Sequence, residues 1–223
     1  MKKIIISLSI IAIVAVVSIG ITTAYFTDTE TSENNTMAAG TMDLNVNDAD
    51  SSVITMTLNN KAPGDFGTEP TGGDVTLKNA GSLDGELDIA MGVVTNYPCT
   101  DTTYGKHDET EYCTSADGTL GANAEIAPYV DVDQDGDYDN GTDIGLKSNG
   151  TIYVSGVLDY DAIDNYSEKV WKNIYTGLMA VNAEDDFVID WQIPTTAGNG
   201  IQGDDVKFDV IFLLKQAGDP DSL

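Results

Sequence analysis

Runs in which apolar and polar residues alternate one by one recur along this chain, each cut short by Gly, Asn or Pro. A strand shows successive side chains to opposite faces, so runs of this period describe half-buried strands. Met42-Asp43-Leu44-Asn45-Val46 alternates, as does Val53-Ile54-Thr55-Met56-Thr57-Leu58, and Asn59 to Asp65 then reads as a turn. Asp74 to Lys78 alternates again and stops at Asn79-Ala80-Gly81, and Glu86 to Met91 repeats the pattern with its acids outward. The two strongest runs, Phe187 to Ile193 and Val206 to Phe212, come near the end and are joined by the Gly-rich stretch Thr195 to Asp205. Short strands at this spacing argue an all-β fold, a β-sandwich or jelly roll. One stretch departs from the pattern. Between Asp161 and Val181, residues Ile163, Val170, Trp171, Ile174, Leu178 and Met179 fall at spacings of three, four and seven. That spacing predicts one amphipathic helix capping an end of the sandwich, with Gly177 weakening its last turn.

The first 24 residues read differently. Met1-Lys2-Lys3 is a short basic start, Ile4 to Ile21 is apolar apart from Ser and Gly, and Thr22-Thr23-Ala24 supplies small residues. This is the pattern of a signal peptide cut by signal peptidase between Ala24 and Tyr25. An uncleaved membrane anchor is the alternative, because the apolar run is just long enough to span a bilayer. A type IV pilin leader fits less well, since no Gly or Ala follows Lys3 to mark a cut before the apolar run. The chain has 223 residues with 10 basic and 37 acidic side chains, a formal net charge of −27. Such a surface repels nucleic acid and anionic membranes and attracts cations. An apolar content of 41% is too high for disorder, so the acids decorate a folded domain.

Cys99 and Cys113 are the two cysteines. In an exported chain they read as one disulfide, closing a loop of about 15 residues and contributing ~3 kcal/mol through the unfolded state. Two free buried thiols are the alternative. The sharpest local motif is Asp131-Val132-Asp133-Gln134-Asp135-Gly136-Asp137-Tyr138-Asp139. Acids at positions one, three, five and nine, with Gly at six for the sharp turn, match the first half of a calcium loop, in which position seven (Asp137) offers its carbonyl. Thr142 stands where the bidentate Glu belongs, and Asp143 beside it is the substitute ligand. No flanking helices are evident, so a structural calcium ion stiffening a long insertion is expected. The alternative is a solvated acidic run.

Signs of catalysis are sparse. His107 is the single histidine, and His107-Asp108-Glu109-Thr110-Glu111 lacks the second His that a helical zinc-protease motif needs four residues on. A Ser-His-Asp arrangement would rest on that same residue. No Gly-rich phosphate loop precedes a helix. The expectation is therefore no enzymatic activity and no small-molecule substrate. Asn34, Asn140, Asn149 and Asn165 each begin an Asn-x-Ser/Thr sequon and are possible glycosylation sites.

Ala24-Tyr25-Phe26-Thr27-Asp28-Thr29-Glu30, followed by Ala39-Gly40-Thr41-Met42-Asp43-Leu44, resembles the start of the TasA and camelysin family. Ala62-Pro63-Gly64-Asp65 and then Val75 to Leu83 look like the family's Pro-Gly-Asp turn and the strand after it. Val206 to Leu214 looks like its C-terminal hairpin. The likeness covers about half of the mature chain, and Asn96 to Val181 has no counterpart in it. The resemblance implies a jelly roll that is exported to the cell surface and polymerises with itself head to tail into biofilm-matrix fibres, with archaeal bundling pilins as relatives. It also implies that residues 25–40 form a donor segment completing the sheet of the next subunit, anchored by Tyr25, Phe26 and Met37. Residues 41–223 are then the sandwich, with 96–181 as an insertion. The alternatives are a monomeric, calcium-stabilised surface or binding module and, more remotely, a metallopeptidase.

Overall fold

The structure is a computed structural model that describes residues 40–70, 74–99, 118–175, 177–220 and 223. The signal segment and its Ala24–Tyr25 junction, the anchors Tyr25, Phe26 and Met37, and Asn34, His107 and Cys113 lie outside these. Residues 40–223 form one compact unit.

Two antiparallel sheets face each other. The larger runs β1 (Leu44–Val46), β4 (Val75–Asn79), β12 (Glu184–Gln192), β7 (Glu125–Asp131), β8 (Ile144–Leu146), β9 (Ile152–Tyr153). In it β3 (Phe66–Glu69) continues along β12, and β10 (Asp161–Ala162) lies beside β7. The smaller runs β11 (Val170–Trp171), β5 (Glu86–Met91), β13 (Asp205–Lys215), β2 (Val53–Asn59), with β6 (Thr95–Tyr97) beside β13. The period-two runs set which faces meet. Val206, Phe208, Val210, Phe212 and Leu214 of β13 are buried, as are Leu87, Ile89 and Met91 of β5 and Met56 and Leu58 of β2. They pack on Phe187, Ile189 and Trp191 of β12 together with Val75, Leu77, Ile126 and Val130. Phe187 and Phe212 meet edge to face with centroids 5.3 Å apart, a contact worth ~0.5–1.5 kcal/mol beyond its burial. The expected all-β sandwich with one helix is present.

Two details differ from the expectation. The helix is a single turn, α1 (Leu120–Asn123), and not the stretch 161–181. That stretch holds β10, a 3-10 turn at Ile163–Tyr166 and β11. Its apolar residues do go inward: Ile163, Trp171, Ile174 and Met179 are all buried. They do so as an irregular strap, because Glu168 and Asn173 have φ of 58° and 53°, where a right-handed helix cannot continue. Second, the stretch 96–181, expected as an insertion, provides β7, which sits between β12 and β8 inside the larger sheet. It is part of the sandwich.

Candidate metal-binding loop on the outer face of the larger sheet

Ile126 and Val130 of β7 point into the core, so Tyr129 and Asp131 point to the other face of the sheet. They are nonetheless buried, at 1% and 0% exposure, beneath the segment that leads through β8 and β9. Tyr138 packs edge-on against Tyr129 at 5.5 Å and is tilted against Tyr153 at 6.2 Å. Burial pushes the Tyr138 hydroxyl up to about 12. Gly145 of β8 makes room for this roof, because a Cβ there would fall inside the Tyr153 ring.

The acidic loop leaves β7 at Asp131 and returns to β8 at Asp143. Both carboxylates are fully buried and hold the loop closed. Asp131 Oδ1 accepts from the Gln134 N–H at 2.7 Å, and Oδ2 from the Gly136 N–H at 2.9 Å. Asp143 Oδ1 accepts from the Val132 N–H at 2.9 Å, and Oδ2 from the Asp139 N–H at 2.6 Å. Gly136 has φ of 87°, a conformation that favours Gly at the sharp turn, as the motif requires. Asp133, Asp135 and Asp139 are exposed around the rim.

This folding brings carboxylate oxygens of Asp131, Asp133 and Asp143 within 4.8 Å of one another, and likewise those of Asp133, Asp135 and Asp139. Asp133 belongs to both groups. The Asp137 carboxylate belongs to neither. The crowding has an electrostatic cost. Burial, then the charges of Asp135, Asp143, Asp131 and Asp139, raise the Asp133 carboxyl above its ordinary value. Burial also raises Asp143, against the pull of its two N–H donors. Among the described residues none of these acids forms an ion pair with a cationic side chain. A set of oxygen ligands with no counter-charge suits a hard cation that takes six to eight oxygens. It does not suit a catalytic zinc, whose usual site includes His or Cys.

The sheet beside the loop adds acids that the motif alone does not reveal. Asp186 is the register partner of Asp131 across β7 and β12. Burial raises Asp186, and its Oδ1 is buried with no hydrogen-bond partner among the described residues. Asp190 on the same face is raised by burial too. Like charges directly opposite on neighbouring strands are unfavourable, and Lys78 on this face pairs with Glu184 at 2.9 Å rather than with either of these acids. The signal for it was the alternation of Asp186 and Asp190 with Phe187, Ile189 and Trp191.

The remaining sites fall elsewhere. Cys99 is disulfide-bonded, and its N–H donates to Asp204 Oδ1 at 3.0 Å. Asp204 Oδ2 accepts from the Thr119 N–H at 2.7 Å, so one buried carboxylate binds both ends of the 99–119 segment. Asn140, Asn149 and Asn165 are exposed.

Over residues 1–220 the chain matches the family model described as Camelysin metallo-endopeptidase. The match bears out the resemblance read from the N-terminal and strand motifs, and it runs through the middle of the chain, where that reading found no counterpart. It also corrects the expectation of a protein without enzymatic activity, because the family is described as one of metallo-endopeptidases. No curated protein and no solved structure gives a significant match.

Proposed function

The chain belongs to the camelysin metallo-endopeptidase family, and from that premise we propose that it is an extracellular subunit of a filament built by strand exchange. In this reading residues 25–40 of one copy pair with the free edge of β2 in the next. The observation that carries it is the character of that edge. Among the described residues β2 pairs with β13 alone. It is seven residues long and holds no charged residue and no Pro, with Met56 and Leu58 buried and Thr55 and Thr57 exposed. Proteins usually blunt such an edge by shortness, charge or Pro. The other terminal strands here are blunted: β1 has three residues, β9 two, and β11 two, flanked by Lys169 and Lys172. Behind β2, between the two sheets, lies a narrow slit lined by Met56, Leu58, Ile126, Trp191 and Phe208 together with Glu69. The buried indole N–H of Trp191 at this slit has no acceptor among the described residues. A strand added to β2 would supply backbone partners along the edge and alternate side chains toward the slit.

In the same reading calcium fills the Asp131–Asp143 loop and stiffens the outer face of the larger sheet. The test is negative-stain imaging of secreted protein beside two variants, a deletion of Tyr25–Asn35 and Thr57→Lys. Both variants should fold and neither should form fibres. Fibres from the deletion variant would end the strand-exchange reading.

The family description favours a second reading, metal-dependent peptide hydrolysis. The described acids fit a hard cation, so no hydrolytic step is derived from them. Casein hydrolysis by the wild type, measured with and without chelator and beside His107→Ala, tests this reading directly. Equal hydrolysis in all three would end it.

A further inference from the structure

Three sequons lie among the described residues, and the fold treats them differently. Asn165 sits in the 3-10 turn Ile163–Tyr166, next to the fully buried Tyr166. Its amide nitrogen, the atom a glycan would take, donates to Asp161 Oδ1 at 2.8 Å. Asn140 is built into the acidic loop. Its Oδ1 accepts from the Gly156 N–H at 2.9 Å, while the Gly141 N–H donates to the Val154 carbonyl at 2.8 Å. Using Asn165 breaks its bond to Asp161, whereas Asn140 is engaged only through its oxygen.

Asn149 differs from Asn165. It occupies the turn between β8 and β9, which the Gly150 N–H closes onto the Lys147 carbonyl at 2.9 Å, with Gly150 at φ 82°. The base of the turn is fixed by the Trp171 indole, which donates to the Lys147 carbonyl at 2.8 Å. Both members of the sequon, Asn149 and Thr151, are exposed. Asn149 Oδ1 accepts from the Thr151 Oγ1 hydroxyl at 2.7 Å and the Thr151 N–H at 3.0 Å. Its Nδ2 makes no hydrogen bond among the described residues. The amide plane is thus held through its oxygen, with its nitrogen uncommitted at an exposed turn.

We infer that the exported chain carries an N-linked oligosaccharide on Asn149, and that Asn165 is passed over. The donor is a sugar chain linked through phosphate or pyrophosphate to a polyprenyl lipid, and the reaction requires a transferase outside the membrane. Asn149 Nδ2 bonds to the anomeric carbon, and the bond from that carbon to the phosphate oxygen breaks. The lipid phosphate leaves with the electron pair, and one Nδ2 proton passes to a base of the transferase. The position has a structural consequence. Asn149 lies three residues before Ile152, at the mouth of β9, the terminal strand of the larger sheet. A glycan there covers that edge against sideways pairing and leaves β2 as the uncovered one. The inference needs export only, so it stands or falls separately from strand exchange.

The test uses protein purified from its native host. Trypsin cuts after Lys147 and Lys169, and electron-transfer fragmentation of the 148–169 peptide distinguishes Asn149 from Asn165. A glycan mass on Asn149, with Asn165 bare, is expected. Thr151→Val should abolish it and Thr151→Ser should retain it. A bare Asn149 overturns the inference, as does a glycan on Asn165 in its place or one that survives Thr151→Val.

Discussion

Asp133 offers a clean way to test whether the acidic loop holds calcium. Its carboxylate is the member shared by both groups of acids, and it is exposed. Unlike Asp131 and Asp143, it receives none of the backbone N–H bonds that close the loop. Asp133→Asn should therefore leave the calcium-free fold intact while removing the ligand common to both groups. Asp131→Asn should do two kinds of damage, since an amide nitrogen would face the Gly136 N–H and leave it unpaired at ~1–3 kcal/mol. The size of the calcium effect follows from linkage. Asp131 and Asp143 already spend both oxygens on backbone donors, so calcium binding is expected to be weak, with Kd of ~10⁻⁴–10⁻³ M, the range of extracellular modules. Free calcium at about 10 mM, ten- to a hundredfold above that Kd, adds ~1.4–2.7 kcal/mol. For a domain of this size that is a rise in Tm of ~3–11 °C. The assay is a thermal melt at about 10 mM calcium against chelator, at ionic strength matched with sodium, because any salt relieves repulsion in a chain of net charge −27. Wild type should show the rise. Asp133→Asn should melt like wild type in chelator and gain nothing from calcium. An equal rise with sodium alone, or no rise at all, would refute the reasoning.

Other outcomes follow from buried groups. Without calcium the protein should become more stable as pH falls from neutral toward 3.8, the ordinary carboxylate value. Burial is the first cause raising Asp143, Asp185, Asp186 and Asp190, so the folded state binds protons before the unfolded state does and its penalty is relieved across that window. A Tm in chelator that falls steadily from pH 7 to about pH 5 contradicts this linkage. Lys215→Met should cost ~3–5 kcal/mol in urea unfolding, because it strips the 2.8 Å partner from the fully buried Asp88; a loss below about 1 kcal/mol would mean the pair is dispensable. Gly145→Ala should cost ~1–3 kcal/mol by displacing the Tyr153 ring, whereas Gly198→Ala, whose Cβ meets open space, should stay within ~0.5 kcal/mol.

The sandwich was legible wherever one face of a strand is wet. Val206 to Phe212 and Val53 to Leu58 alternate because their odd and even residues meet different surroundings. β7 was not, since Ile126-Ala127-Pro128-Tyr129-Val130 is covered on both sides and shows no period. Without it the middle of the chain looked like an insertion. The false helix has the opposite cause. Ile163, Trp171, Ile174 and Met179 do bury, but a strap that dips repeatedly into a core can mimic helical spacing. In the loop, Asp131, Gly136 and Asp143 were readable because position dictates geometry in a tight turn. Asp186 was not, because its tie to Asp131 is a strand register, which no local spacing records.

The two longest strands are also the last to be synthesised. β12 is the strand on which β3, β4 and β7 assemble, and β13 is the one on which β2, β5 and β6 assemble. Until roughly the final forty residues are available, β3, β4 and β7 lack the strand that joins them, and β2, β5 and β6 lack theirs. In an exported chain this order would let the front end cross the membrane before the sandwich can close around its tail. Pairings this distant also make folding slow, which in an exported chain would leave time for threading.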